Sequence, residues 1–309
     1  MHNENRKSTR VSILGAGLMG HGIAQAFMTA GFDVSIWDPE PAARASVISR
    51  ITDHLALMGD DRPVNVRVCE TLDDCVAECD LLVEAAPEKL DVKRALIREV
   101  DALNPSCIIA TNTSVLRITE IAAESSLPER VVGTHWWNPP YLMPLVEVVR
   151  GERTSEDVAR QAAEWLRAAG KVAVDVYRDV PGFVGNRMQL ALIREAAHIV
   201  EEGICSPETV DLVARLTFGR RLPAIGPLRN SDFIGLDLIH AIMDYLLPSL
   251  SDTKQPSRLF QEKIQAGALG AKTGSGVYEW QEAERDETER RLLQHLIDLE
   301  RMEKGHGAP

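Results

Sequence analysis

VSILGAGLMGHGIAQAFMTAGFDVSIWD, residues 11–38, carries the reading of the fold. Residues 11–14 are a short apolar and β-branched run, a glycine loop follows, and the stretch from Met19 to Ala30 reads as a helix that Gly31 stops. Residues 33–38 make a second strand. Gly15, Gly17 and Gly20 are spaced G-x-G-x-x-G between strand and helix. The spacing has a physical sense. Gly15 permits the tight turn, Gly17 lets backbone approach a pyrophosphate, and Gly20 lets the helix pack on the strand, so that the helix N-terminus faces phosphate. Asp38 closes the second strand, where a carboxylate accepts hydrogen bonds from a ribose 2′-hydroxyl and repels a 2′-phosphate. Gly15, Gly17, Leu18, Met19, Gly20 and Asp38 are therefore the candidate cofactor contacts, and NAD is favoured over NADP. The bland alternative, a glycine turn without a ligand beside a surface Asp, accounts less well for strand, loop, helix and acid occurring together.

Outward from this segment the alternation continues. Strands are expected at 80–84, 107–111, 131–134, 145–149 and 171–176, and helices at 42–58, 89–103 and 154–169. Strands alternating with helices imply an α/β fold with a doubly wound parallel (Rossmann) sheet. After Pro181-Gly182 the pattern turns all-helical, with helices expected at about 183–203, 207–217, 230–247 and 256–266. The boundary is placed at 179, giving an NAD-binding domain over 1–178 and a helical substrate and dimerisation domain over 179–309. A surface helix with Leu292, Leu293, Leu296 and Leu299 on one face is expected in the tail, 281–304.

The 309 residues suffice for two cores, and 45% apolar with 26% charged residues is a globular composition. A net charge of -12 works against nonspecific binding to nucleic acid or an anionic membrane. Cys69, Cys75, Cys79, Cys107 and Cys205 form no ladder of metal-ligand spacings and read as free thiols, so no metal is expected. Residues 1–10 are polar and no window is a membrane span, so a cytoplasmic location is the default expectation. Asn112-Thr113-Ser114 matches a glycosylation sequon, without consequence absent an export signal.

The chemistry points to His135, in GTHWWNPPYLMPLVEVV, placed where a doubly wound sheet presents strand ends to a ligand crevice. Glu147 follows 12 residues later inside the apolar run LVEVV. A buried acid needs a partner. If that partner is His135, the carboxylate fixes one ring nitrogen and makes the other a general base for an alcohol proton. A satisfied core histidine beside an edge-strand glutamate is the equal rival on these residues alone. Ser114 in ATNTS and Asn186 in PGFVGNR either cap a turn and a helix or hold a substrate oxygen. They lie on opposite sides of residue 179, which implies a pocket between domains that closes about Pro181-Gly182.

Taken together, GAGLMGHGIA, ATNTS, HWWNPPYLMPLVEVV, DVPGFVGNR, DFIGLDL and GALGAKTGSGVYEW resemble the 3-hydroxyacyl-CoA dehydrogenase family over about residues 10–280. The resemblance implies His135 as base, Glu147 as the residue orienting it, and Ser114 and Asn186 as substrate contacts. It further implies that Glu88 and Lys93, in E-x-x-x-x-K, approach the cofactor and that Asn138 lies near the nicotinamide; Asn112 is grouped with these contacts. A homodimer through the helical domain is also implied, in keeping with the apolar stretch DLIHAIMDYLL at 237–247. One departure concerns the substrate. Members acting on CoA thioesters carry a long lysine-rich helical extension that is missing here. The interval from Pro39 to Asp80 is short and sets Asp60, Asp61, Asp73 and Asp74 against Arg44, Arg50, Arg62 and Arg67. The wording also resembles relatives that oxidise sugar acids, carnitine or a pyridine carboxylate. The expected reaction is NAD-dependent oxidation of a secondary alcohol β to a carboxyl or acyl group, in a small hydroxy acid slightly ahead of an acyl-CoA.

Three rivals stand behind this. A 6-phosphogluconate-type β-hydroxyacid dehydrogenase needs a G-x-x-G-x-G-x-x-x-K segment that does not occur after Pro181. An inactive NAD-binding or structural protein would not be expected to keep Ser114, His135, Glu147 and Asn186 together. A serine hydrolase lacks the G-x-S-x-G elbow, and SDTK at 251–254 with KTG at 272–274 is a chance echo of β-lactamase motifs.

Overall fold

The computed structural model describes residues 9–306, with side chains through Met302; residues 1–8 of the polar start lie outside them. The described chain divides into two compact units, one comprising 9–186 with 294–306 and the other 187–293.

In the first unit, β1 (Arg10–Leu14), α1 (Gly20–Thr29), β2 (Asp33–Trp37), α2 (Pro41–Ala45), α3 (Val47–Met58) and β3 (Val66–Val68) form the first half of the winding. Next come α4 (Leu72–Val76), β4 (Leu81–Glu84), α5 (Leu90–Leu103), β5 (Ile108–Thr111), α6 (Ile118–Ile121), β6 (Val131–Trp136), β7 (Leu145–Val149), α7 (Glu156–Ala168) and β8 (Val172–Val176). The strands build one sheet in the order β3-β2-β1-β4-β5-β6-β7-β8. β1 to β6 are mutually parallel, whereas β7 runs antiparallel to β6. Only 137–144 join β6 to β7, fewer residues than a parallel crossover needs, so the chain turns back. β8 is parallel to β7. Both faces are covered, and successive strand residues serve opposite faces: Leu81 and Val83 pack in one core cluster with α1, α3 and α7, and Leu82 in the other with α4, α5 and α6.

Three sequence expectations change in detail. VRV at 66–68 is an extra edge strand, too short and too polar to stand out. The helix expected over 42–58 breaks at Ser46, the C-cap of α2 and N-cap of α3. The segment 179–186 belongs with the sheet, because Phe183 is buried in its second core cluster and Asp179 accepts hydrogen bonds from the Thr119 amide at 2.7 Å and from Arg117 at 3.4 Å.

The second unit is helical: α8 (Gly185–Glu201, entered from the first unit), α9 (Pro207–Leu216), α10 (Pro227–Ile234), α11 (Leu236–Leu246) and α12 (Arg258–Gln265). One helix was expected over 230–247; Gly235, at φ +117°, divides it into α10 and α11. α13 (Glu282–His306) begins in this unit and ends in the first. Its buried position is Ile297, and Leu292, expected on the docking face, is exposed.

Candidate active site

The glycine loop sits at the C-terminal end of β1. Gly15 is at φ +101°, and a Cβ there would lie 2.6 Å from the Ala85 carbonyl oxygen; one on Gly20 would lie 1.7 Å from the Gly15 oxygen. Side chains at these positions are excluded by backbone. Gly17 differs, since nothing lies within 4 Å of where its Cβ would be, and Leu18 beside it is 66% exposed. The Asp38 carboxylate accepts from the Ala16 amide at 2.7 Å and from the Glu40 amide at 2.8 Å. It thus braces the loop with one lone pair on each oxygen and keeps capacity for two further donors. From beneath, His21 Nδ1 contacts the Gly17 carbonyl at 2.5 Å and Arg50 donates to the Ala16 carbonyl. An open cradle at Gly17, the N-terminus of α1 and a carboxylate at the neighbouring strand end fit a dinucleotide pyrophosphate and ribose diol.

His135 and Glu147 are directly opposite residues of the antiparallel β6–β7 pair, so both side chains leave the same face. His135 Nδ1 lies 2.6 Å from Glu147 Oε2, and both residues are buried. The other carboxylate oxygen accepts the Val184 amide at 3.0 Å and the Gly185 amide at 3.1 Å. Phe183 makes this possible by adopting a left-handed conformation, φ 49°, unusual for an aromatic residue. Burial by itself raises the Glu147 pKa, but the hydrogen bonds from His135, Gly185 and Val184 outweigh it and hold the carboxyl below its ordinary value. With Nδ1 engaged as donor, Nε2 is the nitrogen left to accept a proton. The His135 ring packs between Trp137 and Phe183, at centroid distances of 5.0 and 5.6 Å.

Ser114 is half-buried in the turn after β5, and Asn186 Nδ2 donates to its backbone carbonyl at 2.9 Å. Both belong to the first unit, whereas the sequence reading had put them on opposite sides of a boundary. Glu88 holds the same turn, its Oε1 accepting from Thr113 Oγ1 at 2.6 Å, the Ser114 amide at 2.8 Å and the Val115 amide at 3.0 Å. Burial raises the Glu88 pKa, yet the Thr113 hydroxyl, the Lys93 charge and the two amides bring it below the usual value. Lys93 is fully buried and meets Glu88 at 3.4 Å. Asn112 accepts from the Trp136 amide at 3.0 Å and so ties β5 to the end of β6, while Asn138 is exposed just beyond.

Glu84 is the residue the sequence reading missed. It is fully buried at the end of β4 and bonds Lys93 Nζ through both oxygens, at 2.8 and 3.0 Å. The signal was the one used for Glu147, an acid at the end of an apolar strand, LLVE.

A doubly wound sheet with this loop defines a dinucleotide-dependent dehydrogenase fold, and comparison with known proteins gives the family. The model of the 3-hydroxyacyl-CoA dehydrogenase NAD-binding domain matches residues 10–180, and that of the C-terminal domain matches 182–280. The chain belongs to the 3-hydroxyacyl-CoA dehydrogenase family, NAD-dependent oxidoreductases acting on CH–OH groups. A 3-hydroxybutyryl-CoA dehydrogenase of Bradyrhizobium diazoefficiens is 38% identical over 286 residues, covering 89% of this chain and 96% of that protein. The 5-formyl-3-hydroxy-2-methylpyridine 4-carboxylate 5-dehydrogenase of Mesorhizobium japonicum is 36% identical over 276 residues, covering 87% and 89%. A crystal structure of an enzyme of this latter name, described as an NAD+-dependent dismutase, superposes with a TM-score of 0.91 at 32% identity, over 98% of this chain and 100% of the other. Among the described residues no helix is long and apolar enough to cross a membrane, and no group of three or more His, Cys, Asp or Glu is arranged to hold a metal.

Proposed function

We propose that this chain oxidises a secondary alcohol β to a carboxyl group in a small free hydroxy acid, with His135 as general base. The observation that carries the reading is the His135–Glu147 pair at 2.6 Å, with the second carboxylate oxygen saturated by two amides. The chemistry NAD supplies when bound is acceptance of the carbinol hydrogen with its electron pair. His135 Nε2 takes the hydroxyl proton. The Nδ1 proton stays on the ring, because Glu147 has its other donors in place and a depressed pKa, so the carboxylate remains charged and stabilises the imidazolium. The Ser114 hydroxyl and the Asn186 amide, oriented by its bond to the Ser114 carbonyl, are proposed to hold the substrate oxygen. Glu88, Lys93, Asn112 and Asn138 are assigned to the nicotinamide end, and Gly15, Gly17, Leu18, Met19, Gly20 and Asp38 to the adenosine and pyrophosphate.

A free acid is preferred to a CoA thioester because each arginine between Pro39 and Asp80 is already engaged. Arg44 pairs with Glu70 at 3.0 Å, Arg62 with Asp60 at 2.8 Å and Arg67 with Asp74 at 2.9 Å, and Arg50 donates to the Ala16 and Ser46 carbonyls. The same interval has no lysine with which to meet a polyanion. Side-by-side assay of NAD reduction with free 3-hydroxy acids and with 3-hydroxyacyl-CoA thioesters tests this; higher kcat/KM for the thioesters overturns the preference. His135→Gln is expected to lower kcat by about 100-fold to 10,000-fold with NAD affinity little changed, and near-normal turnover would put the base elsewhere.

We also propose that the functional state is a homodimer through the helical unit. Of residues 187–293 only Ala197 and Gly276 are buried, and 25 large apolar side chains there are exposed. About half-exposed on average, these leave on the order of 2,000 Å² of apolar surface per chain, the scale of an obligate homodimer interface. α11 carries Asp237, His240 and Asp244 along one stripe and is apolar over the rest, with Leu236 62%, Ile242 48% and Tyr245 89% exposed; an apolar face of this breadth calls for cover, which a second copy would supply. A monomer by light scattering at micromolar concentration contradicts this.

A further inference from the structure

Four neighbouring strands, β4 to β7, carry the site. Glu84 on β4 is paired in register with Thr111 on β5, and β6 and β7 carry His135 and Glu147 on the same face of the sheet. The buried groups continue into the loops as one chain of contacts. Glu84 Oε2 accepts from Thr111 Oγ1 at 2.6 Å and Oε1 from the Ala86 amide at 2.7 Å, which leaves the carboxylate wholly occupied once Lys93 is counted. Lys93 Nζ donates also to the Ala86 carbonyl at 3.3 Å and reaches Glu88 Oε2 at 3.4 Å. The opposite oxygen of Glu88 takes three donors, all from the turn 113–115.

We propose that Glu84 is a positioning residue that sets the Ser114 turn through Lys93 and Glu88. The inference rests on the reading of Ser114 as a substrate contact. An ion pair buried this deeply is weak evidence for stability, since a well-packed apolar pair of similar volume does as well. The informative feature is its asymmetry. Lys93 is held by both oxygens of Glu84 on one side and spans to a single oxygen of Glu88 on the other, so Glu84 fixes where the ammonium sits and the ammonium fixes which way Glu88 faces. Without Glu84 the cation has one carboxylate left, moves towards it, and draws Glu88 away from Thr113, Ser114 and Val115. Asn186, whose amide is bonded to the Ser114 carbonyl, is displaced with the turn.

The test is amide hydrogen exchange in the full-length protein, read over 112–117, together with steady-state kinetics. Glu84→Gln is expected to speed exchange at Ser114 and Val115 by about tenfold or more and to lower kcat by about tenfold, with NAD affinity also weakened because Lys93 and Glu88 are assigned to the nicotinamide end. Exchange in β1 and across α5 should stay unchanged. If Glu84 is only a structural brace, α5 loosens as a block and the Ser114 turn changes no more than Ile97; that result overturns the proposal. Should Glu84→Gln fail to fold, Glu84→Leu with Lys93→Met removes the pair without orphaning a charge, and the same local loss of protection at Ser114 and Val115 is expected. Protection retained in that variant overturns the relay. Ser114→Ala separates the two readings: full turnover in that variant rejects Ser114 as a substrate contact, whereas the exchange result still decides whether Glu84 sets the turn.

Discussion

The sheet unit and the helical unit use similar apolar segments and do opposite things with them. VSIL on β1 and LLV on β4 are enclosed on both faces by helices of their own unit, whereas LDLIHAIMDYL on α11, apolar at eight of its eleven positions, keeps most of its apolar side chains exposed. Apolar periodicity therefore predicts that a segment will be buried and leaves open by what. In the first unit the winding of the chain supplies the cover, since the parallel strands are joined by helical segments that return across the sheet. In the second, the helices leave most of their large apolar side chains exposed. A 107-residue unit with so little buried has little to set against its conformational entropy, and the proposed homodimer would supply the missing cover.

A charge on α11 tests the contrast between the units most directly. Ile242→Asp is expected to abolish assembly and to unfold the helical unit, while the sheet unit keeps its NAD affinity; a well-folded monomeric variant would show that the helices sustain themselves. The parent's melting should depend on concentration, falling by about 4 °C for each tenfold dilution, as for any chain whose folding is coupled to association. By contrast Ile13→Ala, in the self-contained core, should cost about 3 kcal/mol at any chain concentration. A loss from Ile13→Ala that grew on dilution would erase the distinction.

A smaller effect sharpens the account of the sheet unit. The Asp38 carboxylate both braces the glycine loop and keeps capacity for a ribose diol, so Asp38→Ala should lower kcat/KM with NAD by roughly 10-fold to 100-fold, on the order of the two or three charge-assisted hydrogen bonds it removes. The parent should favour NAD over NADP by a wide margin. Equal or higher kcat/KM with NADP would defeat the assignment of Asp38, without touching the contrast between the units.

What the sequence made legible follows the same division. The strands of the winding were readable because burial on both faces leaves continuous apolar runs. β3 was not, because an edge strand of three residues centred on Arg67 has neither length nor pattern. The reversal at β7 is legible in principle from the eight residues of 137–144, too few for a parallel crossover, though strand–helix alternation elsewhere points the other way. That reversal is what sets His135 opposite Glu147, so the pairing argued from a buried acid needing a partner has a topological cause. Glu84 carried the same signal and was passed over, because its partner lies nine residues ahead on a helix that reads as amphipathic surface. The conformation of Phe183 had no sequence signal, since nothing in PGFVG marks an aromatic residue for the left-handed region.

The smallest effect concerns pH and belongs wholly to the sheet unit. Under the glycine loop, His54 stacks on Tyr141 at 4.2 Å, lies 5.1 Å from the His21 ring, and contacts Gln25 Oε1 through Nδ1 at 3.2 Å. Burial, the neighbouring His21 and Arg50 push its pKa down to about 4, against a smaller opposing pull from Asp53; His21 is lowered as well, by burial and Arg50 against its bond to Gly17. The folded protein therefore keeps His54 neutral where the unfolded chain protonates it. Stability from this group is complete above the unfolded value near 6.5 and is lost as pH falls towards about 4, because the unfolded state takes up the proton first. With the partial exposure of the ring discounting the shift to on the order of 1 kcal/mol, the melting temperature should fall by about 3 °C across that window beyond the general acid trend. His54→Asn should flatten this component. The loss should be the same at every chain concentration, because the cluster lies within the unit that buries its own core; if it grew on dilution, the acid-sensitive step would be dissociation and not the loop's support.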